Sequence, residues 1–375
     1  VDMKGHWTLT VLFVLVSVGI ALGDGEIRHV DVFVSGTDGY HSYRIPAIEA
    51  AADGSLVAVC EARKHNLADP GFGKQDIDLV AKRSTDGGRT WSAMQMIEDP
   101  GELWSAANPA TVVDRRTGRL WLFYIRSKPQ RSTRTARAGT DDMQQLARWS
   151  DDHGASWSEP IDLTEVARDM EDPNWRASVI GPGGPIQLTG GRLIAPVWKV
   201  APSAVFAVYS DDRGETWQRG QMVPGEDAGN ESELVELADG RVLVDVRQPS
   251  GSHRYRAVSA DGGETWSQPR PGEAVSPVAC AIERWTLESA GGDRNRIVWT
   301  GPKGPGRTNL VVRISYDEGQ TFPVERQIST HHAAYSDLTV LPDKTVGVLW
   351  ERGVERGYQF ISFTPLTREF LEPGQ

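Results

Sequence analysis

The sequence contains very little cysteine, with only Cys60 and Cys280 in a chain of 375 residues. It also lacks a Cys-x-x-Cys pair, a His-Glu-x-x-His segment and any histidine cluster at metal-ligand spacing. These arrangements hold catalytic or structural zinc, so we expect no metal and no other cofactor. Both cysteines lie in apolar, strand-like segments, where a free thiol behaves as a small hydrophobic group. A disulfide would require export from the cytoplasm, and a chain of this size can bury a core without one.

An excess of positive charge is missing as well. The chain has 40 basic and 51 acidic residues, a formal net charge of −11 and a calculated isoelectric point near 5.3. Proteins whose general partner is nucleic acid or an anionic membrane carry an excess of Lys and Arg. The composition therefore argues against both partners, and an anionic ligand would need a locally basic site. The glycine-rich segment Ile180 to Leu188 lacks the phosphate-binding Gly-x4-Gly-Lys-Ser/Thr pattern and predicts a tight turn.

Long apolar runs are absent except for Leu9 to Leu22, which follows Lys4 and ends beside Gly23. A basic start, an apolar run and small residues at its end are typical of a secretory signal peptide. The run is shorter than the ~20 residues that a membrane-spanning helix needs. We predict that residues 1–23 are a signal peptide and that residues 24–375 form one secreted or periplasmic domain without a membrane attachment. Residues 1–2, which precede Met3, are interpreted as a remnant of cloning.

The most prominent feature that is present is an octet with the pattern Ser-x-Asp-x-Gly-x-Ser/Thr-aromatic. Its five copies are Ser84–Trp91, Ser150–Trp157, Ser210–Trp217, Ser259–Trp266 and Ser315–Phe322. They begin 49 to 66 residues apart. Self-similarity at such a period is typical of propellers and solenoids.

Each position of the octet has a physical use. The Asp can accept hydrogen bonds from backbone N–H groups of its own turn, the Gly supplies a positive φ, and the aromatic ring can be buried beneath the turn. Strand-like segments precede the copies: Ile77 to Ser84, Gln145 to Ser150, Val205 to Ser210, Tyr255 to Ser259 and Leu310 to Ser315. The octets therefore connect strands, and the repeat predicts an all-β fold.

The first part of the domain also alternates like strands, in Ile27 to Val34, Tyr43 to Ile48 and Leu56 to Arg63. Arg44 lies in such a segment, so a buried guanidinium would need an anionic partner from the protein or a ligand. Asp69 follows in the polar loop Lys64 to Lys74. Loops at the ends of core strands often carry catalytic residues, although a loop Asp more commonly forms a turn.

The segment Tyr43-Arg44-Ile45-Pro46, the five octets, Asn230 to Leu237 and Ala334 to Val340 together resemble the exo-α-sialidases, or neuraminidases, of glycoside hydrolase family 33. The resemblance runs from about Ile27 to Phe363. It implies a six-bladed β-propeller with four antiparallel strands per blade, in which the closing blade lacks an octet. Radial repetition of this kind leaves only short, protected sheet edges. Because the octet, or Asp-box, also occurs in non-catalytic propellers, the function depends on the other residues.

The segment Asn230 to Leu237 contains three acids: Glu231, Glu233 and Glu236. In an extended chain the first two would share one face and the third would take the other. The family pattern is an acid, x-x-aliphatic-x-Glu-Leu, a turn and a strand that ends in Arg. The resemblance thus implies that Glu231 is the catalytic Glu and Arg247 the arginine. Glu233 is the reserve candidate, and its alternative role is that of a solvent-facing strand residue.

The resemblance also implies the remaining site residues. Arg307 stands where sialidases carry the third arginine, Tyr335 lies in the tyrosine motif, and Glu351 matches the acid that holds Arg44. Arg63 and Asn108 match positions near the 4-hydroxyl of the sugar. The loops Ser127 to Asp142 and Glu165 to Ala177 would line part of the pocket for the C5 substituent. The adjacent His331 and His332 would point to opposite faces of a strand and are predicted to be ordinary surface residues.

The chemistry explains why these residue types belong together. Sialic acid carries a carboxylate on its anomeric carbon, and arginine binds a carboxylate through two charge-assisted hydrogen bonds. Arg44, Arg247 and Arg307 would form this clamp. A carboxylate nucleophile would be repelled by the substrate's charge, so a tyrosine is better suited, as sialidases illustrate among glycosidases. Tyr335 would attack with Glu231 as its base, while Asp69 would serve as general acid and then as base for water.

The sequence therefore predicts a secreted, retaining exo-glycosidase that acts on a terminal α-linked sialic acid of a glycan or free sialoside. Kdn and Kdo carry the same carboxylate and would fit the same clamp. A non-catalytic Asp-box propeller that binds a glycan or a protein is the alternative from another class. That alternative predicts that Tyr335, Glu231 and Asp69 are scattered in space, whereas the enzyme requires that they converge.

Overall fold

The computed structural model describes residues 27–225 and 229–374, and the predicted signal peptide lies outside these residues. The first twelve strands are β1 (Val30–Val34), β2 (Ser42–Ala50), β3 (Leu56–Arg63), β4 (Ile77–Ser84), β5 (Gln95–Glu98), β6 (Ser105–Asp114), β7 (Arg119–Ser127), β8 (Met143–Ser150), β9 (Ile161–Asp162), β10 (Ala177–Ile180), β11 (Ile186–Gln187) and β12 (Leu193–Val200). The next twelve are β13 (Ala204–Ser210), β14 (Gln218–Arg219), β15 (Ser232–Glu236), β16 (Val242–Val246), β17 (His253–Ser259), β18 (Arg270–Ala274), β19 (Ala281–Thr286), β20 (Arg296–Pro302), β21 (Thr308–Ser315), β22 (Val324–Val340), β23 (Val346–Gly353) and β24 (Phe360–Leu366).

Helices are few and short in the described part of the chain. They are α1 (Thr164–Ala167), α2 (Arg368–Leu371) and a 3-10 turn at Glu288–Ala290. The helix α1 overlaps the start of the segment Glu165 to Ala177, which was predicted to be a loop. Among the described residues, no helix has the length and apolar character needed to cross a membrane.

The strands form four hydrogen-bonded sheets, and their order confirms the all-β prediction. One sheet runs β2-β3-β4-β6-β7-β8-β9 with β5 beside β4, and another runs β10-β12-β13-β14 with β11 beside β12. The third is β15-β16-β17-β18, and the fourth is β1-β24-β23-β22-β21-β20-β19. Pairing is antiparallel apart from one residue pair between β4 and β6. The first strand thus pairs with the last, which closes the chain on itself. These sheets are consistent with a β-propeller.

Strand positions agree closely with the alternation of the sequence. β3 and β4 have the predicted bounds, while β8, β13, β17 and β21 begin one or two residues before the predicted segments. Both faces of β3 and β6 are buried along their full length. Since neighbouring sheets cover both faces, the apolar core is spread over several clusters between them.

The octets form the turns that the sequence predicted. In the first copy, Asp86 Oδ1 accepts hydrogen bonds from the backbone N–H groups of Arg89 (3.0 Å) and Thr90 (2.9 Å), and from the Ser84 hydroxyl (2.8 Å). Gly88 has a φ of +82°, and a Cβ there would lie 2.1 Å from a ring carbon of Phe363. The glycine is therefore required both by its backbone conformation and by the close approach of the neighbouring strand.

Three long strands, β2, β6 and β22, are each interrupted by a β-bulge. The register shifts between Arg44 and Ala47 in β2, between Ala107 and Ala110 in β6, and between Ala333 and Ser336 in β22. Bulges bend a strand and redirect side chains, and they are frequent beside active sites. Each bulge contains or adjoins a predicted site residue: Arg44, Asn108 or Tyr335.

Candidate active site

The side chains of Tyr335 and Glu231 are in direct contact. The Tyr335 hydroxyl lies 2.7 Å from Glu231 Oε1 and 2.8 Å from Oε2. Both residues are only 6% exposed. The bulge of β22 places the tyrosine, and the residue preceding β15 supplies the acid. The carboxylate is therefore in position to accept the proton of the phenol.

Arg247 joins these two residues. Its Nη1 donates to the Tyr335 hydroxyl over 2.7 Å and also to Glu231 Oε2. The backbone fixes the same arrangement, because Arg247 N–H donates to the Glu231 carbonyl over 3.0 Å. Among the described residues, Arg247 Nε is buried without a hydrogen-bond partner. A buried donor of this kind costs free energy unless an acceptor pairs with it.

Arg44 is held by Glu351, as the family resemblance implied. Arg44 Nε and Nη2 lie 2.5 Å and 3.2 Å from the two carboxylate oxygens. The same carboxylate accepts from the backbone N–H of Ile45 (2.9 Å) and of Tyr335 (3.1 Å). Burial opposes ionisation of Glu351, but Arg44 and these N–H groups outweigh it and lower its pKa. One buried acid thus fixes the first arginine and the backbone of the tyrosine together.

Arg307 is the third guanidinium group close to the Tyr335 ring. The guanidinium carbons of Arg44, Arg247 and Arg307 lie 5.4, 5.9 and 5.3 Å from the centre of the Tyr335 ring. These three side chains come from β2, from the residue after β16 and from the residue before β21. The structure therefore gathers three positive charges around one phenol.

The protonation of Tyr335 follows from this environment. Burial raises the pKa of its phenol well above the usual range, and the charge of Glu231 raises it further. The three arginines act in the opposite direction, because they favour a negatively charged phenolate, but they do not outweigh burial. The phenol is therefore neutral near pH 7, and attack by its oxygen requires a base.

Asp69 reaches the site from the loop between β3 and β4. Its Oδ1 lies 3.2 Å from Arg63 Nη2 and 4.0 Å from Arg44 Nη1, while its side chain is 67% exposed. The loop is packed closely, since a Cβ on Gly71 would lie 2.1 Å from the carbonyl oxygen of Arg131. The carboxyl group is thus accessible from solvent and tied to the arginine cluster.

The side chain of Arg63 is bound by groups of the protein, and its predicted contact with a sugar hydroxyl stays a prediction. Its side chain is 1% exposed, and its donors are directed at Glu61 (2.9 and 2.6 Å), at the carbonyls of Leu67 (2.5 Å) and Ala68 (3.0 Å), and at Asp69. A guanidinium has five N–H donors, and these contacts use all of them. Arg63 therefore holds the Asp69 loop.

Glu61 and Asn108 repeat the arrangement of Glu351 and Ile45. Glu61 binds Arg63 with one oxygen and accepts the Asn108 backbone N–H (2.9 Å) with the other. Asn108 and Ile45 have φ values of +56° and +59°, a strained conformation for a residue with a side chain. In the described part of the chain, the Asn108 side chain forms no hydrogen bond, which leaves its amide free for a ligand.

Glu233, the reserve candidate, lies away from the tyrosine. It is 4% exposed, and its Oε1 lies 2.2 Å from the position that a Cβ on Gly183 would take. The residue lines a small cavity together with Glu49, Glu283 and Asp337. The alternative role of Glu233 as a solvent-facing strand residue is therefore wrong, because both faces of β15 are covered.

Two further residues of the site were not predicted from the sequence. Tyr358 lies between β23 and β24, with its ring 4.3 Å from the Arg44 guanidinium carbon and its hydroxyl 2.8 Å from Arg307 Nη1. His332 packs edge-on against that ring at 4.6 Å and is half-buried, so the prediction of an ordinary surface residue was wrong for it. Tyr358 has a φ of +58°, and such strain in a bulky residue is frequent at functional sites.

Neither cysteine contributes to this site. Cys60 and Cys280 are both buried and unpaired, and they pack in separate apolar clusters. Within residues 27–225 and 229–374, no group of three or more His, Cys, Asp or Glu is placed to hold a metal ion.

Comparison with known proteins points to one family. A model of the BNR repeat-like domain family matches residues 54–348. A sialidase of Micromonospora viridifaciens is 33% identical over 94% of the chain and 58% of that protein. A sialidase of Bacteroides fragilis is 26% identical over 89% of the chain and 64% of that protein. The chain thus spans about three fifths of the length of these relatives.

The fold is similar to that of a solved sialidase structure. The structure of the Hadza microbial sialidase Hz136 superposes with a TM-score of 0.82 at 24% identity, over 92% of this chain and 69% of that one. At this level of identity the likeness concerns the fold, and it agrees with the arrangement of sheets described above.

Proposed function

The chain belongs to the BNR repeat-like domain family and is similar to sialidases, and from this premise we propose that it is an exo-α-sialidase. It would release terminal α-linked N-acetylneuraminic acid from a glycan or a free sialoside, with retention and after secretion. The observation that carries the proposal is the gathering of three guanidinium groups around a tyrosine that contacts a buried Glu.

The arginines supply the binding energy for the acidic sugar. Arg44 uses Nε and Nη2 on Glu351, and Arg307 uses Nη1 on Tyr358, so each keeps further donors for a ligand. Arg247 Nε is buried with no partner among the described residues. A carboxylate at this point would satisfy these donors through charge-assisted hydrogen bonds. Because the whole chain is strongly acidic, this locally basic site is what selects an anion.

The first chemical step forms a covalent glycosyl-tyrosine. Tyr335 Oη attacks the anomeric carbon while its proton passes to Glu231, which lies 2.7 Å away. The bond from the anomeric carbon to the leaving-group oxygen breaks, and Asp69 gives that oxygen its proton. The phenol suits this attack because it is neutral, so the substrate carboxylate does not repel it. Arg247 Nη1 lies 2.7 Å from Tyr335 Oη and stabilises the negative charge that develops on the tyrosine oxygen as its proton leaves.

The second step reverses the first. Asp69, now a carboxylate, removes a proton from water, and the resulting oxygen nucleophile attacks the anomeric carbon on the face vacated by the leaving group. The bond to Tyr335 breaks, and Glu231 returns its proton to the phenol. Two displacements at one carbon give net retention. The exposure of Asp69, 67% of its side chain, supports its role because both the leaving group and water must reach it.

The strand pairings support six blades. Five units of four antiparallel strands are β2 to β5, β6 to β9, β10 to β14 with the short β11 as an addition, β15 to β18, and β19 to β21 with the first part of β22. The sixth combines the last part of β22 with β23, β24 and β1. We number these units 1 to 6. Units 1 to 5 each contain an octet before their last strand, and unit 6 closes the ring with the N-terminal strand.

The alternatives differ in what they predict for the site. A non-catalytic propeller gives no reason for three guanidinium groups to surround a tyrosine that contacts a buried Glu, so this gathering favours the enzyme. Kdn and Kdo remain alternatives to N-acetylneuraminic acid, because the clamp reads only the carboxylate that they share.

The proposal is tested by release of 4-methylumbelliferone from its N-acetylneuraminic acid, Kdn and Kdo conjugates, measured side by side. We expect turnover of the first, abolished in Tyr335→Phe. Proton NMR of the first product formed should show the α-anomer, as retention requires. Turnover of Kdn or Kdo alone would change the substrate, a β-anomer would exclude the covalent mechanism, and turnover of none would favour the binding propeller.

A further inference from the structure

A second cavity has none of the active-site residues in its lining. It has a volume of about 510 Å³, and the residues lining it include Arg116, Gly191, Arg213 and Glu236. Glu236 is the last residue of β15, whereas Glu231 of the active site immediately precedes that strand. Five residues of extended chain span about 17 Å. This cavity is therefore separate from the catalytic arginines.

The cavity is formed where an octet meets the unit before it. The fourth residue of the octet, between Asp and Gly, has a positive φ in all five copies: Gly87, His153, Arg213, Gly262 and Glu318. In each case this residue lies against the hairpin that joins the first two strands of the preceding unit. Each octet therefore places its fourth residue against a hairpin of the preceding unit.

The other copies make favourable or neutral contacts at this place. His153 Nδ1 lies 3.9 Å from Asp53 Oδ1, and Glu318 Oε2 accepts the Ala238 backbone N–H over 2.7 Å. Gly262 accepts from Arg192 Nη1 over 3.1 Å through its carbonyl. A Cβ on Gly87 would lie 3.9 Å from the side chain of Leu341. In none of these four contacts do two positively charged side chains face each other.

The third copy is different, because Arg213 and Arg116 line the same cavity. Arg116 belongs to the hairpin of unit 2, and both side chains are exposed. Throughout residues 27–225 and 229–374, no carboxylate forms an ion pair with either guanidinium, and neither guanidinium donates a hydrogen bond. Like charges that face each other across neighbouring strands are destabilising. A non-glycine residue at this φ adds local strain.

The acids near the cavity are already engaged. Asp211 accepts from Arg192 over 2.8 and 2.9 Å, and Glu236 accepts from the Thr189 backbone and hydroxyl over 2.8 Å each. Asp114 is fully buried, and burial opposes its ionisation. Its hydrogen bonds from Thr117, Arg116 N–H and Gln187, with the charge of Arg213, nevertheless lower its pKa. These contacts leave Arg116 and Arg213 as the free charges.

We propose that this cavity binds a small oxyanion, a carboxylate or a phosphate, which bridges the guanidinium groups of Arg116 and Arg213. Arginine forks match the planar or tetrahedral oxygens of such anions. Several residues that line the cavity are glycines, which have no side chain to fill it. The volume of the cavity lies within the range usual for ligand pockets. The site is distinct from the catalytic clamp and does not depend on sialidase activity.

The binding test uses inorganic phosphate and glucuronate as probes, in calorimetric titrations at low ionic strength. The catalytic arginines can also bind these anions, so the measured quantity is the component lost on substitution. We expect Arg116→Gln and Arg213→Gly each to weaken one binding component about tenfold and the double variant to remove it. The probe with the higher affinity shows whether the site prefers a phosphate or a carboxylate. A double variant that binds both probes like the parent, or a parent that binds neither, would overturn the proposal.

The matched control is His153→Gly, which makes the same change at the same octet position away from the cavity. Without an anion, Arg213→Gly should raise the Tm, because it removes strain and repulsion. With saturating phosphate the parent should gain the larger Tm increase, since ligands stabilise the state that binds them. Equal Tm responses in Arg213→Gly and the parent, or equal losses of affinity in His153→Gly, would contradict the site. Turnover of the sialoside should be unchanged in all four variants, which are the two single variants, the double variant and His153→Gly.

Discussion

The hydroxyl of Tyr335 lies 2.7 Å from Glu231 Oε1, although 104 residues separate the two in the chain. The contact also includes Arg247, whose Nη1 lies 2.7 Å from the same hydroxyl. A Tyr, a Glu and an Arg in contact need not be catalytic, and the molecule offers a second example. Tyr124 lies 3.1 Å from Glu98 Oε2 and accepts from Arg148 Nε over 3.1 Å. What distinguishes Tyr335 is the additional presence of Arg44 and Arg307 around its ring.

This pair of clusters gives a matched mutational test. We expect Tyr335→Phe to lower kcat on the order of 10³-fold or more, since it removes the nucleophile, while an unreactive carboxylated sugar still binds to the arginines. Tyr124→Phe should leave kcat within about twofold and lower only stability. The measurement is turnover of the umbelliferyl sialoside together with calorimetric binding of the free sugar. Parent-like turnover in Tyr335→Phe would refute the assignment of the nucleophile.

The base is tested separately by Glu231→Gln. The amide keeps the size of the side chain but cannot take the phenolic proton, and we expect kcat to fall by about 10²–10⁴-fold. Glu98→Gln is the corresponding change in the other cluster and should leave kcat unaffected. If Glu231→Gln changed only KM, the residue would serve to orient Arg247 rather than to accept a proton.

Tyr358 is expected to position Arg307 rather than to react. Removing its hydroxyl in Tyr358→Phe abolishes the 2.8 Å hydrogen bond to Arg307 but preserves the ring over Arg44. A hydrogen bond of this kind contributes about 1 kcal/mol, so KM should rise roughly fivefold while kcat stays near that of the parent. Tyr255→Phe, at an exposed tyrosine of β17, is the control. A fall in kcat with unchanged KM would place Tyr358 in the chemical step instead.

Local patterns of the sequence were sufficient for the strands and for the octets. β3 and β4 could be predicted to the residue because alternation and the adjacent turn residues define their ends. The guanidinium of Arg44 also required an anionic partner wherever the strand was buried, and Glu351 provides it. Tyr358, His332 and Glu61 could not be found in this way. Their roles arise from contacts between separate units, and nothing in their neighbouring residues distinguishes them.

Glu233 illustrates the same limit within a single strand. Alternation correctly separates Glu231 and Glu233 from Glu236, but it assumes that one face of a strand meets solvent. In β15 both faces are covered, and Glu233 instead lines a cavity of about 20 Å³ with Glu49, Glu283 and Asp337. The placement of four acids around one cavity depends on the assembly of units and has a consequence for stability.

The clustered acids should make the protein less stable as the pH rises. Burial and the neighbouring carboxylate of Asp337 raise the pKa of Glu283 to about 7. Burial raises that of Asp337 to about 7, and the pKa values of Glu49 and Glu233 are raised as well. Between about pH 4.5 and pH 7 the folded protein keeps protons that the unfolded chain has released. The unfolded state then binds fewer protons, so the free energy of unfolding falls over this range.

Glu283→Gln removes one of these ionisations while keeping the side chain's size. We expect it to raise the free energy of unfolding at pH 8 by roughly 1–2 kcal/mol, after allowance for the partial exposure of the residue, and to leave it nearly unchanged at pH 4.5, where Glu283 of the folded parent is protonated. Urea unfolding of both proteins at several pH values measures the effect, with Glu215→Gln at an exposed position as the control. If the parent and Glu283→Gln lost stability in parallel from pH 4.5 to pH 8, the carboxyl group of Glu283 would already be ionised throughout that range, and the cluster would have to be neutralised by its other members.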